Sequence, residues 1–215
     1  MKRLVIFDLD GTLINSIADL AVAVNLALKA CGYPTHPEEA YKFMVGDGIN
    51  KLFERALPES ERTEENIARI RSEFIPYYEV HNADFSRPYE GIPELLAELQ
   101  RRGVKMAVAS NKYHSATCKL IAHYFPEIDF YPVYGNREGV PVKPDPQIVS
   151  DILAVLDIPK SDILYVGDTN VDMRTAINAG VDCVGVAWGF RPKEELAAHN
   201  PMALIDYPSE LLNYL

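Results

Sequence analysis

Short apolar runs alternate with amphipathic stretches along most of this chain, and polar clusters sit where the apolar runs end. Asp8-Leu9-Asp10-Gly11-Thr12 follows Leu4-Val5-Ile6-Phe7. Ser110-Asn111-Lys112 follows the run from Val104 to Ala109, and Gly167-Asp168-Thr169-Asn170-Val171-Asp172 follows the run from Ile163 to Val166. Lys143-Pro144 is the remaining cluster. Short apolar runs closed by turn residues read as buried strands. Strands alternating with helices imply right-handed crossovers, hence an α/β fold with a parallel sheet covered by helices on both faces. Ligands of such sheets bind outside the carboxyl ends of the strands. That rim would gather several carboxylates, a hydroxyl and a lysine, which are groups able to hold Mg²⁺ and a phosphoryl group.

The pattern also divides the chain. Val5 to Phe7 is expected as the first strand. Ser16, with Asp19 three residues on, resembles a capping box. Leu20, Val24, Ala27 and Leu28 recur at helical spacing until Cys31-Gly32-Tyr33-Pro34 ends the helix. Another helix starts at Pro37, Val45-Gly46-Asp47-Gly48 interrupts the pattern, and two more helices are expected over about 49–57 and 61–80. No strand signal appears between about 15 and 85, so that stretch reads as a helical insertion. The expected boundaries are 1–14 and 86–215 for the sheet domain and 15–85 for the insertion. Beyond Pro88, strands are expected at 104–109, 129–134, 162–166, 181–187 and 203–205. Helices are expected at 93–102, 114–123, 146–156, 171–179 and 193–198, with a last turn over 210–215.

Composition narrows the function classes. Of 215 residues, 48% are hydrophobic and 24% charged, so a sizeable core can form. The net charge of −10 argues against nucleic acid as a partner, because phosphate backbones are held through Lys and Arg. A small anionic substrate remains admissible, since the local field decides there. Cys31, Cys118 and Cys183 are odd in number and widely spaced, which favours a reducing cytosol over a disulfide framework. Cys118 and Cys183 lie in apolar patterns and are expected to be buried, and no histidine is placed to suggest a catalytic thiol pair. The first apolar run is too short for a signal-peptide core, and no stretch reaches the roughly 18 apolar residues of a membrane span. A soluble cytoplasmic protein without a membrane partner is therefore expected.

Taken singly, each cluster has two readings. Asp8 and Asp10 would face opposite sides of a regular strand. They converge only if the chain leaves strand geometry near Leu9, which Gly11 permits. Asp-Gly is equally a turn signal. Ser110 and the neighbouring N–H groups at a strand-to-helix turn suit a phosphate, and would equally suit a helix cap. Lys143, in a stretch stiffened by Pro144 and Pro146, is either a rigidly held amine or a surface lysine. Asp168 and Asp172 flank a turn into a helix and are either caps or hard oxygen ligands for Mg²⁺.

In conjunction and in this order, the clusters resemble the haloacid dehalogenase superfamily, in particular its Mg²⁺-dependent phosphohydrolases, from Asp8 to about Gly189. The resemblance implies a Rossmann-like doubly wound parallel sheet with residues 15–85 as a small helical cap domain. It implies Asp8 as the nucleophile that takes the phosphoryl group as an aspartyl-phosphate. Asp10 would be the acid that protonates the leaving alkoxide and later the base that activates water. Mg²⁺ would be held by the Asp8 carboxylate, the Asp10 backbone carbonyl and Asp168, with Asp172 acting directly or through water. Ser110 and the Asn111 N–H would hold phosphate oxygens, and Lys143 would offset the charge of Asp8 and the phosphate. Phosphoryl transfer depends mainly on such positioning and charge neutralisation.

Within the superfamily, Asp10 argues against a dehalogenase. The insertion lysines Lys29, Lys42 and Lys51 lack the context of a phosphonate hydrolase's Schiff base, and no bisphosphate-holding signature of a sugar-phosphate mutase is found. The chain looks most like the phosphoglycolate phosphatases. The supporting residues are Val45 to Gly48, then Leu52 and Arg55 on a helix, Lys112, and Lys143-Pro144-x-Pro146. N–H groups of the Gly46/Gly48 loop would approach a substrate carboxylate and Arg55 would pair with it, unless the glycines simply form a helix–helix turn. The expected function is Mg²⁺-dependent hydrolysis of a small phosphomonoester, 2-phosphoglycolate foremost. A phosphosugar mutase, a pyrophosphatase or nucleotidase, and a non-catalytic binding protein are the alternatives. Many relatives carry Asp-Ser where this chain has Asn15-Ser16, at one of the two crossings into the cap. Asn15 and Pro88 are thus the expected hinges of a lid. Tyr113, Phe190 and Arg191 follow strand ends and are candidates for the pocket lining. The oligomeric state is left open.

Overall fold

The computed structural model describes all 215 residues. β1 (Leu4–Phe7) is buried along its whole length. Its side chains alternate between two apolar clusters, Leu4 and Ile6 facing one and Val5 and Phe7 the other, as the two-residue period of a strand dictates. A run of four apolar residues is stable here only because both faces of the sheet are covered.

The other strands of the main sheet are β4 (Lys105–Tyr113), β5 (Phe130–Asn136), β6 (Ile163–Gly167), β7 (Asp182–Val186) and β8 (Ala203–Ile205). The order is β5-β4-β1-β6-β7-β8, and every pairing is parallel. The chain thus winds outward from β1 on one side, returns to β6 on the other flank, and winds outward again. This is the Rossmann-like doubly wound topology. Its reversal point lies between β1 and β6, where the crossovers diverge and leave a crevice. Phe7 pairs with Val108 and with Val166, so the end of β1 lies level with those residues of its two neighbours.

α5 (Ile92–Arg101), α6 (His114–Tyr124) and a final 3-10 helix (Pro208–Tyr214) cover the Val5/Phe7 face. α7 (Gln147–Val155), α8 (Asn170–Ala179) and α9 (Lys193–Ala197) cover the other. Before them, β2 (Ile14–Asn15) and β3 (Arg87–Pro88) form a two-stranded antiparallel ribbon at the two crossings. Between these strands lie α1 (Ile17–Ala30), α2 (Glu38–Tyr41), α3 (Ile49–Ala56) and α4 (Glu64–His81). They pack on an apolar cluster of their own, with Val24, Leu28, Phe53, Phe74 and Tyr78 at its centre. Phe190, from the loop after β7, joins that cluster from the sheet side.

Several local expectations differ from the structure. β4 does not end at Ala109 but runs to Tyr113, because β5 keeps pairing with it as far as Asn136 through register shifts. Ser110, Asn111 and Lys112 therefore sit in the strand rather than in a turn. Ser16 makes no capping bond. Its hydroxyl donates to Asp10 at 2.5 Å, and Asp19 accepts from Ser86 N (2.8 Å), Ser86 Oγ (2.5 Å) and Phe85 N (3.0 Å). Tertiary partners outcompete the local cap, and Asp19 ties the start of α1 to the returning chain. Cys118 is half-buried rather than buried. His114, one helical turn earlier, does approach its sulfur, at 3.7 Å. Burial raises the thiol pKa of Cys118, so the pair is not an activated nucleophile.

Candidate active site

Asp8 is the first residue past β1, held by its N–H to Val166 O at 2.9 Å. β6 delivers Asp168 beside it, and the first turn of α8 delivers Asp172. The three are buried, with carboxylate oxygens within 4.8 Å of one another. Lys143 Nζ reaches into the group, 2.9 Å from Asp8 Oδ1 and 2.7 Å from Asp172 Oδ1, and also bonds Ala109 O at 2.9 Å. Asp172 serves its helix as well, since its Oδ2 accepts from Thr169 Oγ1 at 2.6 Å and Thr169 N at 3.1 Å. The choice between cap and charged site residue is thus no choice, because one carboxylate oxygen serves each.

Asp168 accepts from Thr12 Oγ1 at 3.0 Å and from Phe190 N at 2.8 Å, so both its oxygens are oriented. A Cβ at Gly11 or at Gly189 would collide with the Asp168 side chain, and Gly11 also has a φ of 89°. The two glycines make the seat in which Asp168 lies. Gly11 at the same time lets the chain leave β1 in the sharp turn that separates Asp8 from Asp10.

The electrostatics follow from crowding. Burial first, then the Asp172 charge, raises the pKa of Asp8 from 3.8 to about 7, against the partial opposition of Lys143. Burial, with Asp172 and Asp8, likewise holds Asp168 well above the usual carboxylate range. Burial works against the charge of Lys143, but Asp172 and Asp8 outweigh it and its pKa lies well above the usual lysine value. Three buried carboxylates against one ammonium leave excess negative charge that burial makes unfavourable. An all-oxygen, acidic donor set of this kind fits a hard divalent cation.

Asp10 has a different environment. Its carboxylate accepts from Ser16 Oγ and, at 3.1 Å to each oxygen, from Lys112 Nζ. Lys112 Nζ also donates to Tyr78 OH at 2.7 Å. Asn111 Nδ2 bridges Gly46 O (2.9 Å) and Lys143 O (3.0 Å), linking the helical layer to the loop that carries Lys143. Ser110 Oγ accepts from Lys112 N at 3.2 Å, which leaves its proton free.

A cavity of about 50 Å³ lies between the rim and the helical layer. Asp8, Asp10, Ser110, Asn111, Lys112 and Thr169 line it below, and Leu20, Val45, Ile49, Leu52, Phe74 and Tyr78 above, with Gly46, Gly48, Tyr113 and Phe190 at its sides. Tyr113 and Phe190 thus line the pocket as expected, whereas Arg191 and Arg55 do not. Arg191 donates to the carbonyls of Lys42, Phe43 and Val45, clamping the segment that follows α2. Arg55 is turned to Asp47 and Met44 O, inside the helical layer. The site residue that sequence reasoning missed is Tyr78, whose place in a helical run reads as ordinary core.

Fold and site together define the class, and the chain belongs to the haloacid dehalogenase-like hydrolase family, whose profile matches residues 5–186. It is an enzyme similar to the phosphoglycolate phosphatases. One relative of that name, from Vibrio parahaemolyticus, is 34% identical over 98% of this chain and 94% of its own. Another, from Haemophilus influenzae, is 30% identical over 99% of this chain and 98% of its own. Among solved structures, a predicted phosphoglycolate phosphatase from Haemophilus somnus superposes with a TM-score of 0.90 at 28% identity, covering 99% and 97% of the two chains. A haloacid dehalogenase-like hydrolase from Streptococcus pneumoniae shares the fold at a TM-score of 0.87.

Proposed function

We propose that the protein is a Mg²⁺-dependent phosphatase of small phosphomonoesters, 2-phosphoglycolate foremost, that works through a phosphorylated Asp8. The reading is carried by one arrangement: Asp8, backed by Lys143 and crowded by Asp168 and Asp172, opens into a small cavity beside an Asp10 held in a separate environment. Two carboxylates kept in different surroundings can take different roles. An Asp8 oxygen attacks phosphorus as the ester P–O bond breaks, and Asp10 gives its proton to the departing alkoxide. Water then attacks the phosphorus of the aspartyl-phosphate, losing its proton to Asp10, and Asp8 is regenerated with release of phosphate. Ser110 donates to a phosphoryl oxygen, and Lys143 keeps Asp8 from being repelled by the incoming anion.

Asp8, Asp168, Asp172 and the Asp10 backbone carbonyl would hold Mg²⁺, which supplies charge neutralisation at the phosphoryl oxygens. In the same reading, residues 15–85 act as a cap that excludes water, with the Asn15 and Pro88 crossings as its hinges. Gly46 and Gly48 shape the lip of the cap over the rim. The names of the relatives favour 2-phosphoglycolate over other phosphomonoesters. The test is phosphate release from 2-phosphoglycolate, sugar phosphates, nucleotides and pyrophosphate, with Mg²⁺ and with chelator. Mg²⁺-dependent release that Asp8→Asn abolishes is expected. Turnover by Asp8→Asn within tenfold of wild type would remove Asp8 from its role. Release that requires a bisphosphate activator would move the assignment to a mutase.

A further inference from the structure

Resting on the phosphatase reading, one feature of the cavity specifies what the leaving group carries. Lys112 is the only cationic side chain that lines it. Lys143 lies beneath Asp8, and Arg55 and Arg191 are committed to Asp47 and to backbone carbonyls. The Lys112 side chain is 4% exposed, and the walls beside it are aliphatic and aromatic. Lys112 follows Ser110 by two residues on β4, and both line the same cavity. A leaving group that keeps its charge close to the phosphate can therefore bring a second anion to the ammonium.

Tyr78 completes the position from the opposite side. Its hydroxyl accepts from Lys112 Nζ at 2.7 Å, so its own proton is left to donate. An ammonium and a phenolic O–H side by side, walled by Leu52 and Phe74, suit a carboxylate, which accepts from both. We propose that Lys112 and Tyr78 form the subsite that reads a carboxylate on the leaving group, and so set the specificity of the site. The role expected of Arg55 thereby passes to a strand lysine and a helix tyrosine. Because Lys112 also bonds Asp10, a substrate carboxylate shares the ammonium with the group placed to act on the ester oxygen.

The test compares 2-phosphoglycolate with ethylene glycol monophosphate, which replaces the carboxylate by a neutral hydroxymethyl group. In Lys112→Met the ratio of the two kcat/KM values should fall about ten- to hundredfold, as loss of a charged hydrogen bond implies. Tyr78→Phe should lower it less, and Lys112→Arg should restore part of it. Any loss transmitted through Asp10 falls on both esters and cancels in the ratio. A ratio unchanged within threefold in both Lys112→Met and Tyr78→Phe would overturn the subsite. The wild-type protein gives a measurement that does not depend on folding of the variants. Glycolate should inhibit hydrolysis of ethylene glycol monophosphate competitively, and ethylene glycol should not; equal inhibition by both overturns the proposal. A wild-type enzyme that turns over both esters equally well would remove the carboxylate subsite and leave the phosphatase reading intact. No release from any ester would end both.

Discussion

Chelated protein should lose stability as pH rises from about 4 to about 7. Asp8 has its ordinary pKa of 3.8 when unfolded and a pKa of about 7 when folded. Between those values the native state binds about one proton more than the unfolded state, so unfolding free energy falls with pH. A raised carboxyl pKa thus contributes stability fully present below the unfolded value and lost as pH rises through the folded one. At about 1.4 kcal/mol per unit, the window of about three units corresponds to about 4 kcal/mol. For a chain of this length that is about 8–16 °C in Tm. Asp168, shifted in the same direction, adds to the same slope. The assay is thermal unfolding in chelator across this pH range, wild type beside Asp8→Asn, which keeps the shape but cannot ionise. The wild-type Tm should fall with pH more steeply than that of the variant. Saturating Mg²⁺ should flatten the wild-type curve, because a cation bound to the native state favours the ionised carboxylates. Parallel curves for the two chelated proteins would refute the argument that Asp8 carries an unfavourable buried charge.

Gly189→Ala should push Asp168 from its seat, since the added Cβ collides with it; Mg²⁺ affinity measured by calorimetry should fall, and wild-type affinity would count against the seat. Asp19→Asn replaces one acceptor with a donor that faces Ser86 and Phe85. It should cost about 2–3 kcal/mol in urea unfolding, and a change under 0.5 kcal/mol, near the noise of distant substitutions, would contradict the lock. Arg191→Met leaves the carbonyls of Lys42, Phe43 and Val45 without their donor. Amide exchange over 42–48 should quicken, and unchanged protection would show that the clamp is dispensable.

Much of the fold was legible because each central strand is short, apolar and closed by a polar turn. Alternation then fixed the class, and the helical period between Leu20 and Leu28 marked α1. The boundary errors have physical causes. β4 extends through Ser110, Asn111 and Lys112 because β5 supplies pairing partners, which no local pattern records. Ser16 and Asp19 fit a capping box, but Asp10 and Ser86 offered stronger partners.

The site was legible where chemistry-bearing residues cluster along the chain. Asp8, Asp10, Ser110, Asp168 and Asp172 were marked by their place after apolar runs and Lys143 by the prolines beside it, and the rim gathers them. Arg55 illustrates the limit. Its type suited a carboxylate, yet Asp47 lies eight residues away and captures it. Tyr78 shows the converse, because its helical spacing reads as core and its hydroxyl meets Lys112 only across the interface.

The sequence by itself determined the order of the elements, the two-faced sheet and the residues brought to its rim, because burial patterns and turn residues act over a few positions. Only the tertiary structure decided which cation serves which anion. Lys143 went to Asp8 and Asp172, Lys112 to Asp10 and Tyr78, Arg55 to Asp47, and Arg191 to three carbonyls. Those pairings join groups up to 149 positions apart in the chain. They are set by through-space distance and by the high free energy of leaving a buried charge unpaired, neither of which is written in local sequence.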